Sequence, residues 1–276
     1  MSYNSIMRIL IGLIILYFVL LYPNTRRKDR MKPYEDKYIA HRGLYNNLDI
    51  PENSLLAFKK AIDNDYGIEL DLQLTLDDKV VVFHDGSLER MTGIKKNLQY
   101  CTYKELLTYK LLDTDERIPL FEDVLKLLKP DTPLIIEIKP DGRYIETTKK
   151  TVEMTRDYNG LYNMESFNPK VVKYLKDNEP DIIRGQLSYD YINDKKSKLP
   201  FIFKVVMTYL LTNFYNSPDY IAYDCKNYKN LSFRIVSRLM KAECVAWTVQ
   251  SQEELNRIKD YYQCFIFDSF IPEKKI

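Results

Sequence analysis

From about residue 37 onward, short apolar runs rich in β-branched residues alternate with longer stretches of helical period. The runs predict strands over Tyr38–Ala40, Ile68–Leu72, Leu134–Ile138, Asn163–Phe167, Ile182–Leu187, Tyr220–Tyr223, Val245–Val249 and Cys264–Phe267. Between them the periodicity singles out helices at Ser54–Asn64, Leu120–Leu128, Pro169–Asn178, Ser232–Lys241 and Gln252–Tyr261, the first with Asn53 or Ser54 as its N-cap. Repeated βα units of this kind build a parallel sheet. Eight of them within residues 33–276 match the size of a closed (β/α)8 TIM barrel, so the expected fold class is α/β.

One run does not fit the repeat. Val80–Phe83 is separated from Leu72–Leu76 only by Asp77, Asp78 and Lys79, whereas parallel neighbours need a crossover of roughly a dozen residues. The two must form an antiparallel hairpin after the second barrel strand. It rises above the barrel and returns, which delivers His84 to the level of Glu69 and Asp71. Residues 86–118, rich in Lys, Thr and Tyr, then read as a small insertion.

The N-terminus has a different pattern. Ile9–Tyr22 is apolar throughout, without a polar face, and the run reaches back to Ile6 if Arg8 snorkels to an interface. This predicts a transmembrane anchor over 6–22. The following Tyr22-Pro23-Asn24-Thr25-Arg26-Arg27 lacks the small residues of a signal-peptidase site, so the anchor is expected to stay uncleaved. A basic linker over 23–36 follows, and its Arg26, Arg27, Lys28, Arg30 and Lys32 would keep the catalytic domain, 37–276, on the cytoplasmic side.

Charge and cysteine content narrow the classes. The chain has 41 bases and 39 acids, but residues 33–276 hold 35 against 38. A near-neutral body of that kind is not a phosphate-backbone-binding surface, which argues against nucleic acid as a partner. Cys101, Cys225, Cys244 and Cys264 lie far apart with no CxxC spacing, and read as reduced core residues.

Only two histidines occur, and each ends an apolar run beside polar groups: His41-Arg42-Gly43 after Tyr38-Ile39-Ala40, and His84-Asp85 after Val80–Phe83. The C-terminal ends of barrel strands are where barrel enzymes place their chemistry, and histidine exchanges protons near neutral pH. Glu69 and Asp71 are two apart on one strand, so both point the same way; Glu137 and Lys139 repeat the spacing on another. A hard divalent cation, Mg²⁺ or Ca²⁺, relieves the repulsion among Glu69, Asp71 and Glu137, and the absence of a nearby thiolate argues against zinc. A carboxylate–lysine ion-pair network is the structural alternative. Arg42 and Lys139 are suited to binding a phosphodiester anion, and Phe167 and Trp247, at strand ends, to facing its alcohol portion or filling the barrel.

These residues fall into an ordered set: His41-Arg42-Gly43, Pro51-Glu52-Asn53-Ser54, Glu69-Leu70-Asp71, Val82-Phe83-His84-Asp85, Ile118-Pro119-Leu120, Glu137-Ile138-Lys139, Ser166-Phe167 and Trp247-Thr248-Val249. The set resembles the glycerophosphodiester phosphodiesterase family from about residue 37 to 270. The resemblance implies a TIM barrel, Glu69, Asp71 and Glu137 as metal ligands, and His41 and His84 as the acid–base pair. It also implies hydrolysis of glycerophosphodiesters to an alcohol and glycerol 3-phosphate. Glu52 resembles the family's active-site glutamate, although the residues alone describe it as an acid at a helix N-terminus. Gln250 and Phe267-Asp268-Ser269 depart from the family pattern of Asn and Thr-Asp. Two other activities fit the same motifs: a lysophospholipase D acting on membrane lipids, and an anchored binding protein without turnover.

Overall fold

In the computed structural model, which describes residues 2–140 and 142–273, eight parallel strands close into a barrel. They are β1 (Tyr38–Ala40), β2 (Gly67–Leu74), β4 (Leu134–Ile138), β5 (Tyr162–Ser166), β6 (Arg184–Ser188), β7 (Tyr220–Asp224), β8 (Glu243–Val249) and β9 (Cys264–Phe267). Closure comes from β1, which pairs with β9 through Ile39↔Ile266 and with β2 through Ala40↔Ile68. The last three residues of the expected catalytic domain, 274–276, lie outside the described residues.

Strands β4, β7 and β9 are buried on both faces, which is why their sequences are largely apolar and do not alternate, whereas β5 and β6 also bury Asn163, Glu165, Arg184 and Gln186. The remaining strand, β3 (Val80–Val82), runs antiparallel to β2 with Leu72↔Val82 and Leu74↔Val80, as the short Asp-Asp-Lys connection requires. Residues after it form short helical turns, Glu89–Thr92, Leu98–Tyr100 and Tyr103–Leu106, around a core of Phe83, Leu88, Met91, Leu98 and Leu106. The insertion is thus a small packed unit seated on the hairpin.

Helices Leu55–Asp63, Phe121–Leu127, Pro169–Asn178 and Gln252–Ile258 cover the barrel where periodicity predicts them. Ser54 is the N-cap of the first, its hydroxyl accepting from Ala57 N at 3.1 Å. The segment after β7 differs, because Leu231–Arg234 is α-helical and Ile235–Leu239 widens into a π-helix. A further helix, Tyr144–Thr155, has no apolar stripe toward the barrel. Thr147, Thr148, Thr151 and Thr155 are buried there, each hydroxyl donating to a carbonyl one turn earlier.

The N-terminal helix spans Tyr3–Leu21. The region after it corrects the expectation of a linker: Thr25–Tyr34 is a 3-10 helix folded under the N-terminal end of the barrel. Met31 and the fully buried Tyr34 enter the barrel interior beside Ile39, Ile135 and Tyr220, and the Tyr34 hydroxyl donates to Leu134 O at 3.3 Å. The basic side chains among them made the segment look solvated, yet Arg27 and Arg30 donate to the carbonyls of Pro180 and Asp181.

Candidate active site

The turn after β1 sets the geometry. Gly43 has φ of +80°, and a Cβ there would lie 2.8 Å from the Ala57 carbonyl carbon, so glycine alone fits this approach. Arg42 before it is also left-handed, at φ +56°, which points its backbone N–H at Glu69 Oε2, 3.0 Å away. His41, the first residue past the strand, is left facing the barrel axis.

Three carboxylates meet beneath it. Oxygens of Glu69, Asp71 and Glu137 lie within 4.8 Å of one another and all three residues are buried. Burial drives the Glu69 carboxyl well above the usual range, and the charges of Asp71 and Glu137 drive it further; burial raises Glu137 too, against the pull of Lys139. Burial also opposes ionisation of Asp71, but Lys139, His84 and Arg42 hold it well below the usual range. Lys139 Nζ donates to Asp71 Oδ1 at 3.2 Å and lies 2.8 Å from Glu137 Oε1, at an angle that leaves that oxygen without a hydrogen bond. An under-satisfied buried oxygen among three mutually repelling carboxylates is the donor set that suits a hard divalent cation.

The two histidines flank this cluster in matching ways. His41 Nδ1 is 3.2 Å from Asp268 Oδ2, and His84 Nδ1 is 2.6 Å from Asp85 Oδ1. Each ring is thereby held by a carboxylate on Nδ1, and both rings line the cleft. His41 Nε2 is 4.0 Å from Glu69 Oε2. Burial lowers the His41 pKa from its ordinary value against the opposing pull of Asp268.

A cleft of about 170 Å³ joins His41, Arg42, Glu69, His84, Glu137, Phe167 and Trp247. Phe167 and Trp247 meet edge to face at 5.2 Å, and Tyr189 completes an aromatic wall, 5.9 Å from Phe167. The Trp247 indole N–H is buried and makes no hydrogen bond among the described residues. All ten residues singled out from the sequence are therefore in or beside one cleft.

Glu52 is not a helix-dipole acid. Arg42 donates to it at 2.6 Å, and Arg90 adds bonds of 2.7 and 2.8 Å to its two oxygens. Burial opposes this ionisation, but Arg90 and Arg42 prevail and hold its pKa at about 2. Arg90 also donates to Asp85 Oδ2 at 2.6 Å, so one guanidinium ties Glu52 to the partner of His84.

Four side chains in the site have no site role assigned from the sequence. Asn53 donates to Asp71 Oδ2 at 2.8 Å, Arg90 braces Glu52, and Asp268 holds His41. Glu165 is buried beside the acidic cluster, accepting from Tyr220 at 2.8 Å, and burial pushes its pKa to about 8. Of the four only Glu165 carries a local signal, since an acid within a β-rich run is as unusual there as at Glu137.

A closed parallel barrel with ionisable groups gathered at the C-terminal ends of its strands defines a TIM-barrel enzyme. The chain belongs to the glycerophosphoryl diester phosphodiesterase family, whose model matches residues 41–269, and membership places it among phosphodiesterases. Human lysophospholipase D GDPD1 is 35% identical over 164 residues, 54% of this chain but only 50% of that protein. Human glycerophosphodiester phosphodiesterase 1 is 26% identical over 284 residues, covering 92% of this chain and 83% of the relative. The solved structure of an Oleispira antarctica phosphodiesterase, in complex with the product sn-glycerol-3-phosphate, superposes with a TM-score of 0.68 at 19% identity over 85% of this chain and 93% of that one. That last likeness is one of fold.

Proposed function

We propose that the protein hydrolyses glycerophosphodiesters to an alcohol and glycerol 3-phosphate, with His41 and His84 as general acid and base. The observation that carries this reading is the pair of imidazoles, each braced by a carboxylate at Nδ1 and both lining one acidic cleft. One histidine takes the proton of the glycerol 2-hydroxyl as that oxygen attacks phosphorus. The other gives its proton to the leaving alcohol, and a cyclic phosphate results. In the second half, water adds to the cyclic phosphate with the two proton roles exchanged, releasing glycerol 3-phosphate.

Glu69, Asp71 and Glu137 would hold a divalent cation, Mg²⁺ or Ca²⁺, which when bound neutralises phosphate charge. Arg42 and Lys139 bind non-bridging oxygens, and Phe167 and Trp247 enclose the alcohol portion, with Glu52 fixing Arg42. The domain reading follows: an anchor helix, a 3-10 segment closing the barrel, and a catalytic barrel whose insertion supplies Arg90. The N-terminal helix is long and apolar enough to cross a membrane and is almost entirely unburied, which supports a single membrane span. The basic residues after it favour a cytoplasmic barrel.

A lysophospholipase D activity is the second reading, favoured by the likeness to human GDPD1 together with that helix. The test is release of glycerol 3-phosphate from glycerophosphocholine by the full chain, with and without added Mg²⁺ or Ca²⁺. Cation-dependent release is expected. Hydrolysis of lysophosphatidylcholine alone would select the second reading, and turnover of neither would leave a binding protein.

A further inference from the structure

The catalytic end of the barrel carries apolar surface that its own packing does not use. After β6 ends at Ser188 the chain leaves the rim and returns at Met207, whose carbonyl accepts the Ser188 hydroxyl at 2.6 Å. The inner side of this excursion contributes Tyr189 to the aromatic wall of the cleft. On its outer side Lys195, Lys196 and Lys198 are exposed. They lead into helix Phe201–Thr208, whose first three side chains, Phe201, Ile202 and Phe203, are 70%, 63% and 56% exposed. Three consecutive large apolar groups in water, behind a lysine run, have the make-up of an element that inserts into a membrane interface.

The N-terminal helix points the same way. Just past its C-terminal end, Asn24 donates to Asp219 at 2.8 Å, immediately before β7 begins, at the N-terminal end of the barrel. Further back along the helix, the Tyr17 hydroxyl is 2.7 Å from Ser232, in the first turn of the helix Leu231–Arg234 that follows β7. The neighbouring Phe233 stacks at 4.9 Å on Tyr223, near the C-terminal end of that strand. From Asn24 to Tyr17 the chain therefore runs toward the catalytic end, with Ile14, Ile15 and Phe18 across a groove from Phe214, Leu239 and Met240. Residues 3–16 continue in that direction with exposed side chains, about 21 Å of helix at 1.5 Å per residue.

A hydrocarbon core is about 30 Å thick, so the free part of this helix falls short by roughly 9 Å. Sinking of the rim beside it into the leaflet, by the about 5–10 Å that interfacial helices occupy, brings this part of the helix across. The bases at Arg26–Lys32 cannot serve as the membrane-facing charges, because their segment is folded under the opposite end. Lys195, Lys196 and Lys198 stand on the correct side.

We propose that the barrel sits mouth-down on an anionic bilayer, with Phe201, Ile202 and Phe203 wedged into the leaflet that the N-terminal helix enters. The cleft then opens toward the headgroup layer, and its substrates are lysophospholipid-class diesters taken from the bilayer headgroup first. The inference rests on the diesterase and anchor readings above.

All four native cysteines are buried, so a cysteine placed at position 202 can be labelled selectively with an environment-sensitive fluorophore. In full-length Ile202→Cys protein reconstituted into phosphatidylglycerol-containing vesicles, the probe should shift to the blue and be quenched by a spin-labelled lipid. The same probe on Asp131→Cys, at the opposite end of the barrel, should remain aqueous. A position-202 probe in water on vesicle-bound protein overturns the orientation, and failure to float with vesicles overturns the anchor reading along with it. As a second arm, Phe201→Ser/Ile202→Ser/Phe203→Ser should lower turnover of vesicle-borne lysophosphatidylcholine relative to soluble glycerophosphocholine by at least about tenfold. An unchanged ratio counts against the proposal. An unsubstituted protein that cleaves neither substrate refutes the diesterase reading, while the probe measurement still decides the orientation.

Discussion

His41 Nδ1 and Asp268 Oδ2 lie 3.2 Å apart although 227 residues separate them in the chain. The closure of β1 on β9 creates this contact, since His41 N also donates to Phe267 O at 2.9 Å and so fixes one strand end beside the other. An imidazole held this way has one tautomer and one orientation, with Nε2 free for proton transfer.

Asp268→Asn keeps the shape but removes the charge that holds the ring. Loss of a carboxylate partner of this kind typically costs about 10- to 100-fold in activity, and a fall of that size in kcat is expected with little change in KM. A steady-state comparison with the unsubstituted enzyme checks it, with a shifted pH profile distinguishing tautomer loss from a folding defect.

Alanine at either histidine should lower phosphodiesterase activity by at least about 10²-fold, because each positioned proton transfer contributes on that order or more. Near-full activity of purified His84→Ala protein would refute its assigned role.

Removal of divalent cations with EDTA should abolish turnover, and re-addition should restore it. The same cation should raise the thermal midpoint of the native protein, by up to about 2.7 kcal/mol of linkage at a hundred times Kd. In Glu137→Gln that gain should shrink. A midpoint that ignores Mg²⁺ and Ca²⁺ alike would point to the ion-pair network without a cation.

Glu52 ties stability to acid pH. Its folded pKa of about 2 lies below the ordinary value of 4.5, so its pairing with Arg42 and Arg90 stabilises the fold fully above about pH 4.5 and less as pH falls toward 2. The shift corresponds to roughly 3 kcal/mol. Urea unfolding of native and Glu52→Gln proteins should therefore differ most at pH 7, less at about pH 3, and converge only below about pH 2; a constant difference would remove Glu52 from the acid response.

Tyr34→Ala should destabilise the protein by about 3–5 kcal/mol, as for other buried aromatic deletions, because the ring fills the N-terminal end of the barrel. Tyr34→Phe, which loses only the hydroxyl contact to Leu134 O, should cost about 1 kcal/mol. Equal effects in urea melts would show that the hydrogen bond outweighs the packing.

The sequence by itself determined the barrel and most of the cleft, because both are written locally. Strands buried on two faces are mostly apolar, and an acid such as Glu69 or Glu137 within such a run stands out. The shortness of Asp77–Lys79 similarly forces the hairpin that carries His84. Only the tertiary structure decided the rest. Asp268 acquires a partner through ring closure and Arg90 through the seating of the insertion, and neither contact leaves a trace in local periodicity. The threonine-lined helix Tyr144–Thr155 hides its inner face because backbone carbonyls, not apolar neighbours, satisfy it. The basic Thr25–Tyr34 segment looked solvated because two buried side chains, Met31 and Tyr34, are too few to make a pattern. The direction of the N-terminal helix relative to the barrel mouth is likewise a matter of packing, since composition specifies an apolar rod but not where it points.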